Sequence, residues 1–178
     1  MDLNINSIIE LIILIGGPLF QFIAYYLLIG LLPSDYKLIS MYHYSILLFN
    51  LLPIYPLDGG RIIKILFDKF ISYKRSLKLT IYLSYFFIFI IIIKCKNLKL
   101  NIIIMIILLL VLIIIEHRKV NYIYNKFILE RYLNNYNFKK SKIITNINNL
   151  YRGKNHLIKD KNIYYLEKEY LEKTLKKY

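Results

Sequence analysis

Phe49-Asn50-Leu51-Leu52-Pro53-Ile54-Tyr55-Pro56-Leu57-Asp58-Gly59-Gly60-Arg61 is the stretch that decides how the chain is read. It opens as the end of an apolar helix, then meets two prolines, one carboxylate and two glycines within eight residues. Backbone at membrane depth must be hydrogen-bonded, so a helix breaks there only against protein or a water-filled cavity. An ionisable side chain at such a break marks a candidate functional site. Asp58 is the single acid between Asp35 and Asp68, and it becomes the candidate residue.

The surrounding composition fits a membrane protein. The 178 residues are 57% hydrophobic with mean hydropathy +0.45, which excludes disorder and argues against an ordinary soluble domain. The single cysteine, Cys95, rules out an intramolecular disulfide framework and reads as a helix-end residue. The net charge of +14 is concentrated late: residues 117–178 hold 15 Lys/Arg against 5 Asp/Glu. A basic segment beside a span is read as facing an anionic leaflet, so membrane lipids are the expected partner and nucleic acid is not. Met1 leads through an acidic Asp2 without a basic n-region, and no cleavable signal peptide is expected.

Outward from the motif, four apolar runs are expected to cross the bilayer: Ile8 to Leu32, Ile39 to about Pro53, Leu79 to Ile93 and Leu100 to Ile115. The last two are short, and flanking lysines can snorkel to extend them. The expected fold class is therefore an all-α polytopic membrane bundle of about four helices, one broken at the motif, with a small cytoplasmic tail. Residues 1–116 form the membrane region and 117–178 the basic tail, helical at its start through Val120, Ile123, Tyr124, Phe127 and Arg131. Arg152-Gly153-Lys154-Asn155 reads as a turn, and Ile163 to Leu175 as a short strand followed by a charged helix. Six Lys/Arg lie between Arg61 and Lys78, against four on the opposite side, so both ends of the chain are expected to be cytoplasmic.

Intramembrane peptide hydrolysis needs an activated water, which zinc with three protein ligands provides. The usual construction is His-Glu-x-x-His on a helix plus a third ligand from elsewhere. Asp58 suits that third role, with Asn50 and backbone amides near enough to direct it. None of the three histidines, His43, His117 and His156, is followed by glutamate or has another histidine four residues away. By ligand counting, these 178 residues cannot complete the zinc site alone.

The motif resembles the N-x-x-P-x-x-x-x-D-G signature of the site-2 protease family, peptidase M50, whose members are zinc intramembrane metalloproteases. Gly16-Gly17-Pro18 resembles the family's G-P segment, and Ser45 through Arg61 and Phe127 through Tyr132 resemble its sporulation branch. The resemblance implies that Asp58 is the third zinc ligand, that Asn50 and Pro53 hold substrate or shape the site, and that Gly59 lets backbone pass closely. It implies zinc as cofactor, available only with the missing His-Glu-x-x-His segment. It further implies a membrane-associated sigma-factor precursor as substrate, and an upstream fragment and membrane regulatory proteins as partners. The four runs would correspond to the third to sixth of six spans, so the first two are expected upstream of Met1, in a truncated reading or a split gene. The tail would be a remnant of a regulatory domain.

Each feature also has a plainer reading. Two prolines and a D-G pair make an ordinary helix break. Gly16-Gly17-Pro18 can serve helix contact alone, Glu10 and His43 read as interfacial, and His117 as part of a charge cluster. The alternative to a protease is a non-catalytic membrane protein that holds a partner helix near Asn50 and Asp58. A weaker one is a lipid-surface anchor formed by the tail.

Overall fold

Apolar length builds the frame. The computed structural model describes residues 7–94, 99–134, 136, 138, 140–161 and 163–175. Among these, three helices are long and apolar enough to cross a membrane: α1 (Ser7–Leu31), α4 (Tyr73–Lys94) and α5 (Leu100–Leu133). Most of their large apolar side chains are exposed, as is required of surfaces that meet lipid or further helices. The chain is a helical membrane protein.

Between α1 and α4 lie α2 (Tyr36–Asn50) and α3 (Asp58–Phe70). The 15 residues of α2 reach only about 22 Å, against ~30 Å of hydrocarbon, so the run expected as the second span is a shorter helix laid against α1. Gln21 Nε2 donates to the His43 carbonyl at 2.9 Å, and the Tyr25 hydroxyl meets Ser40 Oγ at 3.0 Å. His43, read from sequence as interfacial, is instead buried at 5% exposure. Its ring stacks on Tyr25 at 4.2 Å and meets Phe22 edge-on at 4.9 Å, because the α1–α2 seam presents aromatic faces that enclose it.

The 34 residues of α5 span about 51 Å and so project beyond the bilayer, which merges the expected fourth span and tail helix into one element. Val120, Tyr124, Phe127 and Arg131 form its buried stripe. Residues 95–98, with the reading of Cys95, lie outside the described residues.

The tail adds a small sheet, of which the sequence reading places only the last strand: β1 (Ser141–Ile144), β2 (Asn155–Asp160) and β3 (Ile163–Leu166), followed by α6 (Glu167–Leu175). The order is β1-β2-β3, with β1 parallel to β2 (Ser141 opposite Asn155) and β3 antiparallel (Asp160 opposite Ile163). Four- and six-residue strands are too short to show a clear alternation in sequence. The turn at 152–153 and the strand-then-helix at 163–175 stand where the sequence places them.

The sheet shares one core with the bundle: Ile144, Leu150 and Ile158 join Tyr73, Val120, Tyr124 and Phe127. Tyr73 N donates to the Leu150 carbonyl at 2.9 Å, and the Tyr73 ring stacks on Phe127 at 4.3 Å. A polar network closes the far side. Arg131 reaches Glu167 through Nε and, at 2.8 Å, through Nη2, and Nη2 also donates to the Lys154 carbonyl at 2.7 Å. His156 Nε2 accepts from Tyr151 N at 2.9 Å, so its proton sits on Nδ1 and points at Glu167 Oε2, also 2.9 Å away.

This network makes tail docking sensitive to acid. Burial pushes the His156 ring below its ordinary value, with Glu167 only partly opposing it. Burial would raise Glu167, but hydrogen bonds from His156 and Arg131 outweigh it and leave the carboxyl below its usual range. Both groups therefore bind protons more readily when the tail is released. Their stabilisation is present above the released-state values and is lost as pH falls, starting below about 6.5 for the histidine and continuing through the carboxylate range. Hydrogen-exchange protection factors across 141–171, corrected for the intrinsic pH dependence of amide exchange, should fall as pH drops from about 7.5 to about 5, and His156→Gln should flatten the upper part of that change. An unchanged exchange profile contradicts this account.

Candidate functional site

The break between α2 and α3 is possible because its backbone amides are all provided for. Pro53 and Pro56 have no N–H to satisfy. The remaining amides of 51–57 each find an acceptor. Leu51 N reaches the Leu47 carbonyl at 3.0 Å, Leu52 N that of Phe49 at 3.2 Å, Ile54 N that of Leu52 at 2.7 Å, and Leu57 N that of Ile54 at 2.8 Å. Tyr55 N donates to Ser84 Oγ on α4 at 2.8 Å. Ser84 in turn donates to the Thr80 carbonyl and Thr80 to that of Ser76, both at 2.9 Å, while Ser76 Oγ donates to the Lys64 carbonyl at 3.2 Å. A stripe of hydroxyls at four-residue spacing, all buried, thus faces the broken segment and α3. Ile54, fully buried, pins the loop to the core.

The two glycines after Asp58 let α3 start across the end of α2. A Cβ on Gly59 would lie 2.2 Å from the Leu51 carbonyl oxygen and 2.5 Å from that of Leu52. One on Gly60 would lie 2.4 Å from Tyr55 N. Only a residue without a side chain fits either place.

Asp58 is the first residue of α3, following Leu57 in extended conformation. A carboxylate in a first helical turn is favoured by the partial positive charge there. The side chain is half-buried and faces α1, where a Cβ built on Gly17 would stand 3.7 Å from Asp58 Oδ2. The Gly16-Gly17-Pro18 segment and the D-G motif, read separately in sequence, are thus neighbours across one helix contact. Gly16 has nothing within 4 Å of an added Cβ. Among the described residues the Asp58 carboxylate has neither a hydrogen-bond partner nor an ion pair, and Asn50, half-buried at the end of α2, makes no hydrogen bond to it. Pro53 is half-buried in the loop.

The histidines are engaged elsewhere. His43 sits in its aromatic seam, His117 lies 5.9 Å from the Tyr82 ring, and His156 belongs to the tail network. Among the described residues no group of three His, Cys, Asp or Glu side chains is placed to hold a metal. Asp58 is one ligand, and a zinc site takes three or four, so these residues do not complete such a centre and no catalytic step is assigned to them alone.

Two ionic features nearby were not read from sequence. Lys64 and Asp68, both buried, pair at 2.8 Å across one turn of α3. Arg152, from the tail turn, reaches Glu10 at the start of α1 and Asp68 at 3.3 Å. Glu10, read as interfacial, is thus bound to the tail. Burial works against the charge on Arg152, but the two carboxylates more than offset it and hold the guanidinium protonated. The i,i+4 spacing of Lys64 and Asp68 was available in sequence, whereas a contact between residues 10 and 152 leaves no local trace.

Residues 34–94, from just before α2 to the end of α4, match the family profile described as Peptidase family M50. The chain is 32% identical over 132 residues to the stage IV sporulation protein FB of Bacillus subtilis (strain 168). That alignment covers 69% of this chain and 46% of the relative, so the chain spans about half the length of the curated protein it matches.

Proposed function

The chain belongs to peptidase family M50, the site-2 protease family, and from that premise we propose that it is the aspartate-bearing part of a zinc intramembrane endopeptidase. Peptidases of this family are metalloproteases, generally of zinc. The observation that carries the reading is Asp58 itself. Its carboxylate is held at the start of α3, turned toward a glycine of α1 and left without a polar partner among the described residues.

In this reading Asp58 is the third ligand, and residues outside these 178 bring two histidines and a glutamate. Bound zinc would supply an activated water at neutral pH. The chain's own contribution is placement. Gly59 and Gly60 set the angle at which Asp58 leaves the break, and the Ser76–Thr80–Ser84 stripe keeps the loop from refolding as helix. Gly17 leaves room beside the carboxylate, while Asn50 and Pro53 shape the approach. The substrate is a membrane-associated protein, and by analogy with the sporulation relative a sigma-factor precursor. Residues 117–178 are a basic regulatory tail on the cytoplasmic side. The Arg152–Glu10 pair supports placing the start of α1 on that same side, and the lysines and arginines of 61–78 favour the cytoplasm.

The test is complementation. The chain is co-produced with a two-span segment carrying His-Glu-x-x-His from a family member, together with a membrane-tethered substrate. Cleavage should require both pieces and disappear on Asp58→Ala. Cleavage that persists without Asp58 contradicts the proposal. A stable complex that captures substrate without cutting it or binding zinc assigns the chain to helix binding instead.

A further inference from the structure

A cavity of about 330 Å³ lies where α1, α3, α4 and the 152–153 turn meet, on the tail side of the bundle. Asp58 does not line it. Its lining combines the cations Arg61, Lys64 and Arg152 with apolar side chains, among them Ile13 and Leu14 of α1, and with the Glu10 carboxylate. Lys64 is bound to Asp68, and Arg152 uses Nη1 for Glu10 and Asp68. The Arg152 side chain is only 6% exposed, yet its Nε has no acceptor among the described residues. Arg61 is exposed and has no ion-pair partner among them. Three cations meet the two carboxylates Glu10 and Asp68, which leaves one positive charge and one buried donor uncompensated.

The shape specifies the ligand. Ile13 lines the cavity and is also 57% exposed on the outer surface of α1, a membrane-crossing helix. The cationic pocket therefore borders the exposed surface of a helix long and apolar enough to span, near the Glu10 end of that helix. An occupant with an anionic head and an apolar chain satisfies both the cations and the apolar side chains. Guanidinium groups favour phosphate oxygens, and basic pockets between membrane helices on the cytoplasmic side suit anionic headgroups. We infer that this cavity is a binding site for the phosphate headgroup of an anionic phospholipid, held by Arg61 and Arg152 with an acyl chain along Ile13. Because Arg152 belongs to the tail and Arg61 to α3, one lipid would join the two. The inference requires only that the chain sits in a membrane, and it stands apart from the zinc chemistry.

Native mass spectrometry of the full chain in detergent, titrated with dioctanoyl phosphatidylglycerol, tests it. One lipid should bind saturably, and dioctanoyl phosphatidylcholine at the same concentration should not. Arg61→Gln, a change at an exposed side chain that leaves the fold intact, should weaken binding about tenfold or more, as expected for a lost charge-assisted contact. Arg75→Gln, on the exposed surface of α4, should leave it unchanged. Equal binding of phosphatidylcholine, indifference to Arg61→Gln, or an equal loss with Arg75→Gln overturns the site. Inorganic phosphate that binds as tightly, with the same dependence on Arg61, overturns the lipid as its occupant.

Discussion

Gly59→Ala should leave little correctly folded chain in the membrane, while Gly16→Ala, the same chemical change, should leave the fold intact. The difference lies in what each added methyl meets. At Gly59 it would lie 2.2 Å from one backbone carbonyl oxygen and 2.5 Å from the next. Neither oxygen belongs to a side chain that can rotate away. Relief requires α3 to move off the end of α2, which would withdraw Tyr55 N from Ser84 and Ile54 from the core. Overpacking against fixed backbone, combined with loss of those contacts, costs on the order of 3–5 kcal/mol. That is a large part of the stability of a typical domain and corresponds to roughly 10 °C in thermal midpoint for a chain of this size. At Gly16 the methyl meets nothing within 4 Å and gains helix propensity. Detergent-extracted yield and thermal aggregation of the two variants make the comparison. Equal behaviour would mean that the α2–α3 junction yields enough to admit a methyl at Gly59.

The second large effect separates chemistry from folding. In the complemented complex Asp58→Ala should lower proteolysis by at least about a thousandfold, the rate equivalent of several kcal/mol of metal-derived transition-state stabilisation. The thermal midpoint of the chain should hardly move. Asp58 is half-buried and has no hydrogen bond or ion pair among the described residues, so its removal orphans no partner. A large loss of stability with Asp58→Ala would assign the residue a structural role instead.

Much of this was legible because membrane constraints write themselves into sequence. The break after Asn50 could be read from two prolines and two glycines, and the candidate ligand from a lone acid beside them. Gln21, a polar residue inside the first apolar run, turns to the neighbouring helix and donates to the His43 carbonyl. The hydroxyls at 76, 80 and 84 stand at four-residue spacing in sequence, but their purpose appears only once Tyr55 is seen to need an acceptor. Other features were hidden for definite reasons. The second run, Ile39 to about Pro53, reads as a span on its apolar composition, whereas the helix that forms, Tyr36–Asn50, is likewise 15 residues long and too short to cross. The sheet was obscured by strand length. His43 and Glu10 were read by proximity to helix ends, whereas their surroundings are set by residues distant in sequence, Tyr25 and Arg152.

The central claim is that Asp58 completes a zinc centre begun by histidines from outside these residues. Zinc content answers it most directly. The chain and a His-Glu-x-x-His segment, purified together and passed over a mild chelator, should retain about one zinc per complex. The Asp58→Ala complex should form in equal yield and retain little. Full zinc in the Asp58→Ala complex, or a stable wild-type complex without zinc, would contradict the claim.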